Sequence, residues 1–134
     1  MISQFGALPY RRDEAGGLRI LLVTSRDTGR WVVPKGNPMP RLAGWEAAAR
    51  EAFEEAGVEG RIERTPIGSF RYRKRRRLML PVYAEVTLFP LCVERELDQW
   101  LEEHQRRRRW FAQEEAAVAV AERKLKRLIL DFRP

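Results

Sequence analysis

The residues best placed to do chemistry lie in the segment REAFEEAG, Arg50 to Gly57. Glu51, Glu54 and Glu55 are spaced three and four apart, so on a helix their carboxylates share one face. Like charges at these spacings repel, and acidic residues in a last turn oppose the helix macrodipole. A cluster that breaks two local rules at once is a candidate functional site. Hard divalent cations supply the stabilisation such a cluster lacks. Mg²⁺ takes oxygen ligands and is held by a few carboxylates together with substrate phosphates. The plainer reading, a solvated acidic face, needs no ligand.

The second chemical signal is basic. The chain of 134 residues carries a net charge of +7, which favours polyanionic partners such as nucleic acid, phosphorylated metabolites or an anionic membrane. RYRKRRR (Arg71 to Arg77) and RRRR (Arg106 to Arg109) hold much of the excess. A highly phosphorylated substrate requires charge balance beyond what metals give, and arginine suits it through bidentate contacts. Arg26, Arg30, Lys35, Arg71 and Arg73 are the candidate phosphate ligands, and Arg11 and Arg12 are added to the same surface. Arg106 to Arg108 read instead as residues of a strand edge. His104 has no partner motif, and Cys92, the one cysteine, has no neighbouring His to make it a nucleophile.

Gly36 and the run Arg50-Glu51-Ala52-x-Glu54-Glu55-x-Gly57-Val58 closely resemble the Nudix box, G-x5-E-x7-R-E-U-x-E-E-x-G-U with U aliphatic. SRDTGRWVVPKG, just upstream, resembles the strand and loop that lead into that box. The likeness is greatest to the diphosphoinositol polyphosphate phosphohydrolase branch and its bacterial relatives, and runs from about Ala7 into the C-terminal helices. It implies a Nudix-type α/β/α sandwich, an α/β fold with a mixed β-sheet flanked by helices. It also implies hydrolysis of a diphosphate linkage with Mg²⁺ or Mn²⁺. By the same resemblance, Glu51, Glu54 and Glu55 are the metal ligands, Arg50 orients them, and Glu51 or Glu54 takes part in catalysis. Glu85, Glu94, Glu96, Glu102 and Glu103 are further candidates for the base. Gly36 and Gly57 are structural positions of the motif. One departure stands out: Leu42 falls where the box has its first glutamate, and Glu46, four residues before Arg50, is the expected substitute partner for that arginine.

The expected substrate is therefore a small polyphosphorylated molecule: a diphosphoinositol polyphosphate, a dinucleoside polyphosphate or similar. The alternatives are a nucleoside triphosphate or RNA 5′-end pyrophosphohydrolase, and a catalytically weak domain that binds nucleic acid or another polyanion. The intact glutamate set argues against a binding-only role, so nucleic acid is not the favoured partner. No apolar run approaches the roughly 20 residues that span a bilayer, no signal-peptide pattern opens the chain, and a lone cysteine fits a reducing compartment. The expectation is one cytoplasmic domain over residues 1–134, a monomer or homodimer without a membrane partner.

The elements that must position these residues follow from periodicity. GLRILLVTS (Gly17 to Ser25) is an apolar run bounded by turn formers and reads as a buried strand. QFGALPYR is its partner across the hairpin connection DEAGG. WVVPKGNPMP reads as a brief strand and then a loop that its prolines keep irregular. Gly44 to Ala56 reads as a helix with Ala48, Ala49, Ala52, Phe53 and Ala56 on its apolar side, ended by Gly57. SFRYR and RLMLPVYAEVTLF form a hairpin with a basic tip, the latter placing Leu78, Leu80, Val82, Ala84, Val86 and Leu88 on one face. ERELDQWLEEHQ reads as a loop with a short helical turn and RRWF as a short strand. The tail is helical, broken near Val120, with Leu125, Leu128, Ile129 and Phe132 packing inward.

Overall fold

A computed structural model describes residues 1–134. Eight strands form one mixed sheet: β1 (Ile2–Arg12), β2 (Leu18–Thr24), β3 (Trp31–Val32), β4 (Lys35–Gly36), β5 (Val58–Ile62), β6 (Gly68–Arg76), β7 (Met79–Glu96) and β8 (Arg108–Ala112). The helices are α1 (Gly44–Glu51), α2 (Gln113–Ala119) and α3 (Arg123–Asp131), and α1 runs on into a π-helical turn over Ala52–Ala56. The central path is β3-β2-β1-β7-β5, with β4 added to β1, β6 to β7 and β8 to β2. β1 and β7 run parallel from Ile2 opposite Ala84 to Tyr10 opposite Cys92, and every other pairing is antiparallel.

β2 is apolar without alternation because both faces of the sheet are covered. Ile20 and Leu22 join Leu8, Tyr10, Val86 and Leu88 beneath Leu125, Ile129 and Phe132 of the C-terminal helices. Leu21 and Val23 join Ala7, Val58, Phe89 and Leu91 on the opposite face, beneath Ala48, Ala52 and Ala56. The result is an α/β/α sandwich around a mixed sheet. The expected β1–β2 hairpin, the basic β6–β7 hairpin and the break at Val120 are all present.

Four local expectations change. The helix ending in Ala56 is α-helical only to Glu51, and the wider turn that follows brings Ala52, Glu55 and Ala56 inward together. It swings Phe53 out to solvent, and Ala47 takes its place on the buried face. The Pro-rich loop is not wholly irregular, since Lys35 and Gly36 pair with Gly6 and Phe5 of β1. Leu78 and Leu80 lie outside the core, because the β6–β7 ribbon outruns the layers that would cover it, whereas Ala84, Val86 and Leu88 are buried.

The π turn ends at Gly57, with φ 65° and ψ 35° in the left-handed region. A Cβ there would stand 2.6 Å from Trp100 Cδ2 and 2.7 Å from Arg108 Nη1. Gly57→Ala therefore combines backbone strain with a clash, and is expected to lower stability by about 1–3 kcal/mol. Urea unfolding measures this, and a loss below about 0.5 kcal/mol would contradict it.

Candidate active site

A cleft of about 750 Å³ opens where the acidic turn, the β3–β4 segment, the β6–β7 hairpin and the loop before β8 meet. Glu51, Glu55 and Glu102 line it. Arg26, Arg30, Lys35, Arg71 and Arg73, all five candidate phosphate ligands, also line it. Arg30 pairs with Glu122 at 3.4 Å and Arg71 with Glu85 at 3.1 Å, while Arg26 donates to Gln105 Oε1 at 3.2 Å. Arg11 and Arg12 do not join this surface. They border a separate depression, where Arg11 stacks on Trp110 and pairs with Glu96.

Glu51 and Glu55 stand four residues apart on the acidic segment, and both line the cleft. Burial, followed by the charge of Glu55, pushes Glu51 up to about 8. Glu51 therefore holds a proton at neutral pH when no cation is bound. Burial also raises Glu55, against the opposing pull of Arg106 and Lys35. Glycine at position 36 gives Glu51 its room, since a Cβ there would collide with the carboxyl group. Glu55 is nearly enclosed: Arg106 Nη2 lies 3.4 Å away and the Lys35 backbone N–H donates to Oε1 at 3.3 Å. Arg106 also grips Glu102 at 2.7 Å and donates to the Thr24 carbonyl at 3.0 Å.

The C-terminal carbonyls of the acidic turn are satisfied from outside it. The Glu102 N–H donates to Glu54 O at 3.0 Å, Trp100 Nε1 to Glu55 O at 3.1 Å, and Arg108 Nη1 to Ala56 O at 3.0 Å. Arg108 stacks on Trp100, its guanidinium carbon 3.8 Å from the ring centre. Donors and a cation at this end oppose the negative pole of the dipole. Lys35 Nζ sits 4.6 Å above the Tyr72 ring. Tyr72 donates to Gln4 Oε1 at 2.7 Å, and Gln4 donates to Asn37 Oδ1 at 3.1 Å. Burial raises the Tyr72 hydroxyl to about 12, so it remains a donor.

The three motif glutamates do not share one patch. Glu54 turns to Arg50 at 3.8 Å, outside the cleft lining, and no three carboxylate, imidazole or thiol groups surround one point. Arg50 is exposed and touches Glu54 alone among them, a contact of the kind worth about 0–1 kcal/mol. The donor chemistry nonetheless fits a hard divalent cation. Half-buried Glu51 and buried Glu55 line the same cleft, the charge of Glu55 raises the proton affinity of Glu51, a repulsion a cation would relieve, and all the donors are oxygen. Glu51 and Glu55 would hold it, with Glu54 adjacent.

Other expectations are corrected. Glu46 does not replace the missing motif glutamate, because its carboxylate accepts the Ala43 N–H at 2.8 Å and caps the start of α1. Of the alternative base candidates, Glu102 lines the cleft; Glu94, Glu96 and Glu103 do not, and Glu85 is held by Arg71. Arg106 is the principal omission. Arg106 and Arg108 donate to the Thr24 and Ala56 carbonyls, while Arg107 and Arg109 lie over the Trp31 and Phe111 rings, and no local signal in the uniform run RRRR separates them.

Comparison with known proteins gives consistent results. The family model for the NUDIX domain matches residues 3–132. "Nudix hydrolase 21, chloroplastic" of Arabidopsis thaliana is 34% identical over 121 residues, which cover 83% of this chain and 56% of that protein. Diphosphoinositol polyphosphate phosphohydrolase 3-beta of Bos taurus is 36% identical over 108 residues, covering 79% and 59%. The chain thus spans just over half the length of these two relatives. In fold, it superposes on the Caenorhabditis elegans Ap4A hydrolase binary complex with a TM-score of 0.70 at 22% identity, over 97% of this chain and 93% of that one.

Arg106 is the only side chain that grips both Glu55 and Glu102, and all three are largely buried. Arg106→Met should cost about 3–5 kcal/mol, because two carboxylates would remain buried without their partner. Urea unfolding of the variant tests this, and a loss below about 1 kcal/mol would remove Arg106 from its central place.

Proposed function

Because the chain belongs to the Nudix hydrolase family, we propose that it hydrolyses a diphosphate linkage in a highly phosphorylated small molecule, such as a diphosphoinositol polyphosphate or a dinucleoside polyphosphate. The observation that carries this reading is one cleft lined by the Glu51–Glu55 pair together with Arg26, Arg30, Lys35, Arg71 and Arg73. Carboxylates for a cation and cations for phosphates, set in one cleft, suit a substrate whose charge exceeds what bound metal alone neutralises. Similarity to a diphosphoinositol polyphosphate phosphohydrolase supports the same class.

Nudix hydrolases generally use divalent cations. Such an ion, Mg²⁺ or Mn²⁺, would neutralise phosphate charge and acidify the attacking water. Glu51 and Glu55 would hold it, with Glu54 beside them paired to Arg50. Lys35, Arg26 and Arg73 have no carboxylate at ion-pair distance and are free to take phosphate oxygens; Arg30 and Arg71 exchange their present partners for substrate. Water oxygen bonds to phosphorus as the bridging P–O bond breaks, and the departing phosphate carries the bond's electrons. The water proton passes to a carboxylate of the acidic turn, Glu51 or Glu54 being the candidate catalytic base. Arg106 acts through Glu55 and Glu102 as a positioning residue.

A phosphate-release assay with Mg²⁺ or Mn²⁺ across diphosphoinositol polyphosphates, dinucleoside polyphosphates and nucleoside triphosphates tests the assignment. Glu51→Gln and Glu54→Gln should each lower kcat by about 100-fold or more, and EDTA should abolish turnover. Absence of turnover on every substrate, or equal rates in Glu51→Gln, would defeat it. Arg73→Gln should raise KM for the most phosphorylated substrate several-fold with little change in kcat. An unchanged KM would remove Arg73 from the binding wall.

A further inference from the structure

The tip of the β6–β7 hairpin is not composed as folding alone requires. Arg77 and Leu78 connect Arg76 to Met79, which face each other across the ribbon. Leu78 has φ 60°, where a turn favours glycine or asparagine and a large apolar side chain is unusual. That leucine is 97% exposed, Leu80 is 83% exposed, and Met79 and Tyr83 beside them are also uncovered. Polar residues at Leu78 and Leu80 would cost the core nothing. Around these side chains the cations are largely free. Arg71 alone in the hairpin forms an ion pair, with Glu85, while Arg76 donates to the Leu80 carbonyl and holds the tip closed.

We propose that this tip docks the protein on an anionic phospholipid surface, with Leu78 and Leu80 entering the headgroup–acyl boundary and the neighbouring arginines meeting lipid phosphates. Charge complementarity selects the partner, and the apolar pair selects among polyanions. Nucleic acid or free polyphosphate would use Arg73, Lys74, Arg75 and Arg77 but gives Leu78 and Leu80 no role. A second copy of the chain would bring the same cations against each other. No helix is long and apolar enough to cross a membrane, and the contact proposed is peripheral. A short apolar insertion and a basic cluster each bind bilayers weakly but together suffice. Arg71 to Arg75 also line the cleft, so docking sets the cleft rim against the lipid surface.

Cosedimentation of the full chain with vesicles of phosphatidylcholine alone, and of phosphatidylcholine with phosphatidylserine, tests the proposal without requiring turnover. Binding is expected only with phosphatidylserine, and it should weaken as salt rises. The double variant Leu78→Ser/Leu80→Ser keeps the full charge and should lose roughly tenfold or more in vesicle partition. Its circular dichroism, and its hydrolysis of soluble substrate without vesicles, should be unchanged. Arg77→Glu should weaken binding independently. Vesicle binding by the leucine variant equal to wild type would overturn the proposal. So would wild-type binding to single-stranded RNA but not to vesicles, or conversion of a wild-type dimer to a monomer by the leucine substitutions.

Discussion

Two carboxyl groups, one buried and one half-buried, at the C-terminal end of a helix are the interaction on which the rest of the site depends. Glu51 and Glu55 repel each other, and both stand near the negative pole of the helix dipole. The surrounding fold offsets this through Arg106 beside Glu55, through Trp100, Arg108 and the Glu102 backbone on the last carbonyls, and through a glycine at position 36. The compensation is partial. Glu51 is left with no basic partner at ion-pair distance, and burial and the charge of Glu55 raise its proton affinity.

The sheet makes this arrangement rigid. With both faces covered, β2 and β1 are fixed against two cores at once, and the strands that carry cleft residues leave that central pair at defined registers. Lys35 and Gly36 are held by pairing to β1, and Arg71 and Arg73 by pairing to Glu85 and Tyr83 on β7. The loop before β8 is tied to the acidic turn by two donors, and the first residue of β8 by a third, so the loop's glutamate and arginine are set by the same contacts that cap the turn. Cations and carboxylates thus line one cleft, Lys35 beside Glu55 and Arg71 and Arg73 on the β6–β7 hairpin.

The β6–β7 hairpin has two distinct parts. Near the sheet its arginines face the cleft, and Tyr72 is anchored through Gln4. Beyond Lys74 the ribbon leaves both cores, and the residues that periodicity would assign to the interior become a solvated apolar tip. The change occurs where the covering layers end.

The sequence by itself determined what depends on short-range spacing. The glutamate and glycine positions of the motif, the buried β2 run, the two hairpins and the break at Val120 all follow from local pattern and turn chemistry. So does membership of a family whose motif lies within a single segment. The tertiary structure decided which carboxylates meet. The π turn rotates Phe53 outward and Glu55 inward, Glu54 goes to Arg50, and Glu46 is used as a helix cap instead of a partner for Arg50. It also decided that Arg106, remote in sequence from Glu55, is the residue that holds it. No local rule reports that contact, because it depends on where the segment leading into β8 lies beside β2 and the acidic turn. Spacing sets the chemistry available on one element; burial and charge pairing between elements are set only when the sheet closes.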